Sequence, residues 1–387
     1  MKKLKSIFKS KLFKSVLSGV LIASMVAGAL PAAALSVNAQ TNSEDIMEEF
    51  ERQEIIFNQD WKFIRQDVEG AQAADFDDTY WYNVGLPHDF SIPYWQEESH
   101  YTGYGWYRKT FTVGPEWEGK RLFLDFDGVF HTAELYVNGE YVGTHRGGYT
   151  GFEFDITDYV NQGENVVAVR VNNIWDPTLA PRSGEHMFTG GIYRDVNLVV
   201  TSPVHVTWYG TFVQTPDVSA EEANVRMQVE VQNDSSSDKN VKVISYVYDA
   251  DDKEVLSIES SQRTLAAGEM YNFDDTSEML ENPHLWSVDD PYMYKVLTYV
   301  YVDGACVDQF ESPLGFRWFE WTSDEGFFLN GEHLWIDGVN AHQDHAGWAN
   351  AVTTAALKRD VAMIKEAGFN FIRGSHYPHS PAYAEAC

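Results

Sequence analysis

The stretch Arg121-Leu122-Phe123-Leu124-Asp125-Phe126-Asp127 decides the fold. Leu122, Leu124 and Phe126 alternate with their neighbours at a period of two, which places three apolar side chains on one face of a β-strand. The same pattern extends outward over residues 57–201, as short alternating runs broken by turns. Residues 134–137 run into Asn138-Gly139, the strongest short hairpin signal, because both turn positions must accept positive φ. Residues 165–171 form another such run, followed by a long loop holding Pro177 and Pro181. The expectation is a mainly β protein that opens, over residues 40–202, with a β-sandwich of jelly-roll type.

Between 203 and 312 the strands continue more thinly. Val225, Met227, Val229 and Val231 alternate with Arg226, Gln228 and Glu230, and a polar turn at 233–238 precedes the next run. This spacing fits an immunoglobulin-like sandwich, with a continuation of the first sandwich as the open alternative. From 313 to 387 the pattern changes. Leu334-Trp335-Ile336-Asp337-Gly338-Val339 reads as a buried strand. Thr353 or Thr354 caps a helix that repeats Leu357, Val361 and Ile364 on one face up to Gly368. Phe369-Asn370-Phe371-Ile372-Arg373 follows at once, and another helix starts near Ser380-Pro381. Strand, helix and strand with so short a connection is a βαβ unit. A closed (β/α)8 TIM barrel needs about 250 residues, so 313–387 reads as the opening of a truncated barrel.

Composition narrows the function. The chain has 387 residues, 44% hydrophobic and 14% aromatic, and a formal net charge of −30. That charge repels phosphate backbones and argues against nucleic acid as a partner. Only Cys306 and Cys387 are present, too few for a disulfide framework or a Cys-based zinc site. The N-terminus reads as an export signal. Lys2, Lys3, Lys5, Lys9, Lys11 and Lys14 precede an apolar stretch and then Val37-Asn38-Ala39, an acceptable cleavage site. Residues 1–39 are therefore expected to leave a secreted, periplasmic or cell-surface protein that keeps no membrane contact; an uncleaved anchor is the alternative.

Two loops follow the βαβ strands at their C-terminal ends, where parallel-sheet proteins place their chemistry. They are Asn340-Ala341-His342-Gln343-Asp344-His345 and Gly374-Ser375-His376-Tyr377-Pro378. Imidazoles and carboxylates held there suit hydroxyl-rich ligands such as sugars. A metal reading of His342, Asp344 and His345 is disfavoured, because three ligands within four residues rarely converge without a helix to space them. No cofactor is expected.

The residues in order strongly resemble glycoside hydrolase family 2, the family of β-galactosidases, β-glucuronidases and β-mannosidases. The likeness runs through Asn58-Gln59-Asp60-Trp61, Gly105-Trp106-Tyr107-Arg108-Lys109, Gly147-Gly148-Tyr149 and Gly190-Gly191-Ile192-Tyr193-Arg194-Asp195-Val196. Its most specific piece is Asn370-Phe371-Ile372-Arg373-Gly374-Ser375-His376-Tyr377-Pro378. The resemblance implies that the first sandwich is of the sugar-binding type. It implies that His342 and His376 line the sugar subsite with Asp344 nearby, and that Arg373 supports the nucleophilic carboxylate. The two catalytic Glu residues are expected beyond Cys387, so no residue here is assigned a catalytic role. Ala341, Gln343 and Gly374 depart from the family's usual residues and leave the sugar preference open. The Gly-Gly-Ile-Tyr-Arg-Asp-Val stretch reads as structural, a bulged sandwich strand. The loop at 182–188 is a weaker candidate for reaching the active-site mouth.

The expected function is retaining hydrolysis of terminal β-D-galactosyl residues, with an oligosaccharide or β-galactoside as substrate. β-Glucuronidase activity and a non-catalytic carbohydrate-binding sandwich are the alternatives; the oligomeric state, a homo-oligomer included, stays open. N-terminal sequencing of protein collected outside the cytoplasm should begin just after Ala39, and a start at Met1 would contradict the export reading.

Overall fold

The computed structural model describes residues 52–92, 101–180 and 190–387. Residues 1–39, read from the sequence as an expected export signal, and the loop at 182–188 lie outside the described residues. The first sandwich packs a four-stranded sheet on a six-stranded one. In the smaller sheet the order is Gln53–Ile56, Val196–Thr201, Arg121–Phe126, Phe152–Asp155. In the larger it is Tyr82–Val84, Trp61–Ile64, Tyr104–Val113, Gly163–Asn172, Thr132–Val137, Glu140–Arg146. Neighbours far apart in sequence mark the jelly-roll crossovers. Leu122, Leu124 and Phe126 all enter the core between the sheets, beside Trp61, Tyr107 and Val169. Asn138 and Gly139 turn the hairpin with φ of 51° and 87°, the positive pair that a type I′ turn requires.

The second sandwich sets Val204–Gln214, Arg226–Asn233 and Met270–Thr276 against a five-stranded sheet centred on Lys239–Tyr248 and Tyr294–Val302. Val225, Met227, Val229 and Val231 are buried in its core, as their alternation requires. Its last strand, Ala305–Leu314, carries Leu314 into that core, and Phe316 follows. The two sandwiches are tied by a buried ion pair. Arg52 Nε and Nη2 donate to Asp308 at 2.8 and 3.0 Å, and Asp308 also accepts from Val206 N at 2.7 Å.

The βαβ unit forms with one correction. The first strand is Gly338–Ala341 rather than 334–339, and it pairs in parallel with Phe371–Gly374. Leu334 to Asp337 are held differently. Asn370 uses its amide to bond Trp335 O at 2.8 Å and Asp337 N at 2.9 Å, so a side chain takes the place of the ladder there. Trp335 is 73% exposed, and the run is not the buried strand that its apolar composition suggests. Burial depends on covering neighbours, and among the described residues this sheet has two strands. The helix spans Thr354–Glu366, with Thr353 Oγ1 accepting from Ala356 N. Leu357 and Val361 are buried, and Gly368 leaves the helix at φ 94°.

The first sandwich docks on the C-terminal ends of the parallel strands. Arg194 is 3% exposed, and its guanidinium crosses the joint. On the sandwich side Nη1 donates to the carbonyls of Asp127 and Tyr149 at 3.3 and 3.2 Å. On the barrel side Nη2 donates to Gln343 Oε1 at 3.1 Å and to Pro378 O at 2.6 Å. Asp195 accepts from Asn58 Nδ2 at 2.9 Å and Thr354 Oγ1 at 3.0 Å. The Gly-Gly-Ile-Tyr-Arg-Asp-Val stretch is thus two strand pieces, Gly191–Ile192 and Val196–Thr201, with the joint's charged residues between them. Two donors at the joint, Arg194 Nε and Gln343 Nε2, have no acceptor among the described residues.

The outer face of the four-stranded sheet is acidic. Asp125 and Glu153 stand in register on adjacent strands. Burial raises the Asp125 carboxyl to about 6, the Asp127 carboxyl to about 7 and the Glu153 carboxyl to about 8; repulsion from Glu54 adds to the first, and repulsion from Asp125 and other nearby acids adds to the other two. Each therefore holds its proton in the folded state at a pH where the unfolded chain has already lost it, so stability rises as pH falls through these values. Below about 6.5 the buried His131 and His205 and the half-buried His88 oppose this, because desolvation lowers their pKa and protonation favours the unfolded chain. Thermal melts should show Tm rising from about pH 8.5 to about 6.5, with a flatter profile in Asp127→Asn/Glu153→Gln. A Tm that falls over that range contradicts the assignment. Arg194→Ala strips one face of the joint and should lower unfolding free energy by about 3 kcal/mol. Amide exchange should rise at residues 343–345 and 376–380, and unchanged protection there would show that another contact sets those loops.

Candidate functional site

Parallel pairing sets Asn340 opposite Arg373 and Ala341 opposite Gly374, so the loops after the two strands leave side by side. Ser375 N donates to Ala341 O at 2.8 Å and continues the pairing by one residue. His342 and His376 follow, and their rings meet edge to face with centroids 5.2 Å apart and planes at 82°. The sequence places each histidine in a loop after a βαβ strand, the family resemblance implies a shared subsite, and the structure brings the two rings together.

Arg373 joins them. Its Nη1 donates to His376 Nδ1 at 2.9 Å and to Ser375 Oγ at 2.9 Å. A guanidinium only donates, so Nδ1 of His376 must accept and the neutral ring carries its proton on Nε2. Arg373 and His376 are exposed, His342 is half-buried and Ser375 is buried. The result is a rigid base with imidazole groups above it that can donate to or accept from hydroxyls.

Asp344 follows Gln343 on the first loop. It lies near the Tyr377 phenol, whose pKa is raised chiefly by burial and further by the Asp344 charge. His345 turns to the helix: Nε2 meets Asp360 Oδ2 at 2.5 Å while the ring stacks on Trp348 at 5.7 Å. His342, Asp344 and His345 do not converge, and among the described residues no group of three His, Cys, Asp or Glu is placed to hold a metal ion.

Gln343 and Tyr377, between these residues, set the loops. Gln343 is buried; its Oε1 accepts from Arg194 Nη2 and from Ser380 N at 2.9 Å, and its N–H donates to the Tyr377 phenol at 3.1 Å. Tyr377 stacks on Tyr149 of the sandwich, centroids 4.3 Å apart and planes at 13°. Sequence reasoning passed over Arg194, Gln343 and Tyr149 as positioning residues. One signal was available: a charged pair, Arg194-Asp195, inside an otherwise apolar strand run.

The family model described as "Glycosyl hydrolases family 2, sugar binding domain" matches residues 65–203, the one described as "Glycosyl hydrolases family 2" matches 204–317, and the family 2 TIM barrel domain matches 322–387. The chain is 37% identical over 343 residues to a Bacteroides ovatus β-galactosidase, covering 86% of this chain and 39% of that protein. It is 37% identical over 346 residues to a Bacteroides fragilis β-glucuronidase, covering 85% of this chain and 47% of that protein. A solved structure of Bacteroides uniformis β-glucuronidase 2, covalently bound to cyclophellitol-6-carboxylate aziridine, superposes with a TM-score of 0.84 at 35% identity, over 87% of this chain and 41% of that one. The chain thus spans less than half the length of these relatives. With two sandwiches, a parallel barrel unit and the Arg-Gly-Ser-His-Tyr-Pro loop at its strand end, all within matched segments, the chain belongs to glycoside hydrolase family 2.

Proposed function

We propose that the chain is the N-terminal part of an exported retaining glycoside hydrolase that removes terminal β-D-galactosyl residues from oligosaccharides or β-galactosides. The observation that carries this reading is the Arg373–His376 contact beside His342 at the ends of two parallel strands. A sugar ring over those strand ends would meet His376 Nε2–H as a donor and His342 as a second polar group. Such contacts accelerate the reaction if they strengthen as the oxocarbenium-like state develops. The retaining reaction also needs two carboxylates about 5 Å apart, one to form the glycosyl-enzyme and one to act as acid and then base. His342, Asp344, Arg373 and His376 do not supply that pair, so in this reading it comes from later barrel strands and the chain by itself hydrolyses no β-galactoside. Arg373 then serves to hold the nucleophilic carboxylate ionised.

The second reading is a β-glucuronidase. It draws on the Bacteroides fragilis relative and the Bacteroides uniformis structure, each bearing that name.

A chimera that continues this chain into the barrel of the Bacteroides ovatus relative tests both. It should hydrolyse 4-nitrophenyl β-galactoside in preference to the glucuronide; the reverse preference selects the second reading. In the chimera His376→Ala should lower kcat/KM by about 2 to 4 kcal/mol, mostly in kcat. A loss of Tm with kcat within about threefold of the parent would sink the sugar-contact role.

A further inference from the structure

Next to the joint, the jelly-roll sandwich carries a cleft of about 180 Å³ walled by Thr102, Phe130, His131, Asn173, Trp175 and Asp176. Trp175 follows the Gly163–Asn172 strand and is 54% exposed. An indole left half in water at the edge of a cavity is an unused apolar face.

The wall beneath it is fixed. His131 Nε2–H donates to Ile174 O at 2.9 Å, and Nδ1 accepts from Thr132 Oγ1 at 3.0 Å. Asn173 spans the chain by accepting from Gly103 N at 3.0 Å and donating to Tyr101 O at 2.8 Å. Asp176 Oδ1 accepts from Thr178 N at 2.8 Å and Thr178 Oγ1 at 2.6 Å, while Oδ2 accepts from Arg146 at 2.5 Å. Its carboxyl is held below the usual range chiefly by the Thr178 bonds, so it stays an anion. A carboxylate offers about four lone-pair sites, and these contacts leave room for a further hydroxyl. Arg146 offsets the Asp176 charge and burial keeps His131 neutral, so the cleft holds no surplus of positive charge.

An aromatic ladder links the cleft to the strand-end site. Phe130, in the cleft wall, lies 5.5 Å from Tyr149; Tyr149 stacks on Tyr377 at 4.3 Å; Tyr377 lies 5.9 Å from His342. Only a few ring widths of protein separate the cleft from the histidine pair.

We propose that this cleft is a second saccharide subsite, which holds a neutral pyranose unit of an oligosaccharide whose terminal residue occupies the His342–His376 site. The indole face of Trp175 takes the apolar C–H face of the ring, and Asp176 accepts from its hydroxyls. Anionic sugars are disfavoured, because Asp176 is an anion and the chain as a whole carries −30. The proposal rests on the glycosidase reading for the placement of the terminal residue, but binding at Trp175 does not depend on turnover.

The test uses calorimetric titration of the 387-residue chain with β-1,4-galactotetraose, methyl β-galactoside and a hyaluronan tetrasaccharide. The galactotetraose should bind more tightly than either of the others. Trp175→Ala should weaken galactotetraose binding by about tenfold or more and leave methyl β-galactoside unaffected, with Tm within about 2 °C because the side chain is exposed. Trp175→Phe should recover part of the loss. Galactotetraose affinity that is unchanged in Trp175→Ala, or no better than that of methyl β-galactoside in the parent, overturns the subsite. Equal binding of the uronate-bearing tetrasaccharide overturns its neutral preference. Failure of the glycosidase reading is read separately, from His376→Ala turnover in the chimera.

Discussion

One buried guanidinium holds the two halves of the strand-end site to the sandwich behind it. Arg194 bonds Gln343 on the first loop and Pro378 on the second, while its other nitrogen grips two sandwich carbonyls. A buried cation is stable only if its donors are matched, so the two barrel loops and the sandwich must meet in one geometry to satisfy it. The positions of His342 and His376 follow from that match, since each is adjacent to or within two residues of an Arg194 partner. Tyr149 on Tyr377 adds an apolar seal over the same contact. The sandwich is thereby part of the site's scaffold rather than an appended module.

The acidic character of the chain is unevenly distributed. Most carboxylates face water, where a net −30 is dispersed by solvent and salt. Asp125 and Glu153 are instead covered where the second sandwich meets the first, with Trp208 Nε1 donating to Asp125 at 3.1 Å. Their environment favours the protonated form, so this part of the contact between sandwiches gains from neutralisation. Asp308 is the counter-example a few residues away in space. It is wholly buried yet fully bonded, its two oxygens accepting from Arg52 and from two backbone amides.

Legibility in the sequence followed the range of the interactions involved. Leu122, Leu124 and Phe126, the Asn138-Gly139 turn and the Thr353 cap obey local rules, and the elements they announce form where those rules place them. His342 and His376 were legible at one remove, because parallel pairing makes successive strand ends neighbours. The start of the first barrel strand was not, since Asn370, more than thirty residues on, occupies the backbone groups of Trp335 and Asp337. Arg194 was hidden for the same reason. Its partners lie 149 and 184 residues away, and no periodicity encodes such a distance. Trp175 could be read as a residue but not as the rim of a cleft, which exists only once Thr102 and Phe130 close around it.

The Arg52–Asp308 pair spans 256 residues of sequence, and this separation orders the birth of the molecule. A chain is made from its N-terminus, so the guanidinium emerges long before its anion. The strand that follows it, Gln53–Ile56, also waits for Val196–Thr201 to pair with. Loop closure over such lengths is slow compared with forming a local hairpin such as the one at Asn138-Gly139. The earliest residues of the described fold are therefore among the last to be fastened. Until Val196–Thr201 and Asp308 have been made, the segment around Arg52 has no partner to hold it, and the nascent sandwich stays open at the end that emerged first.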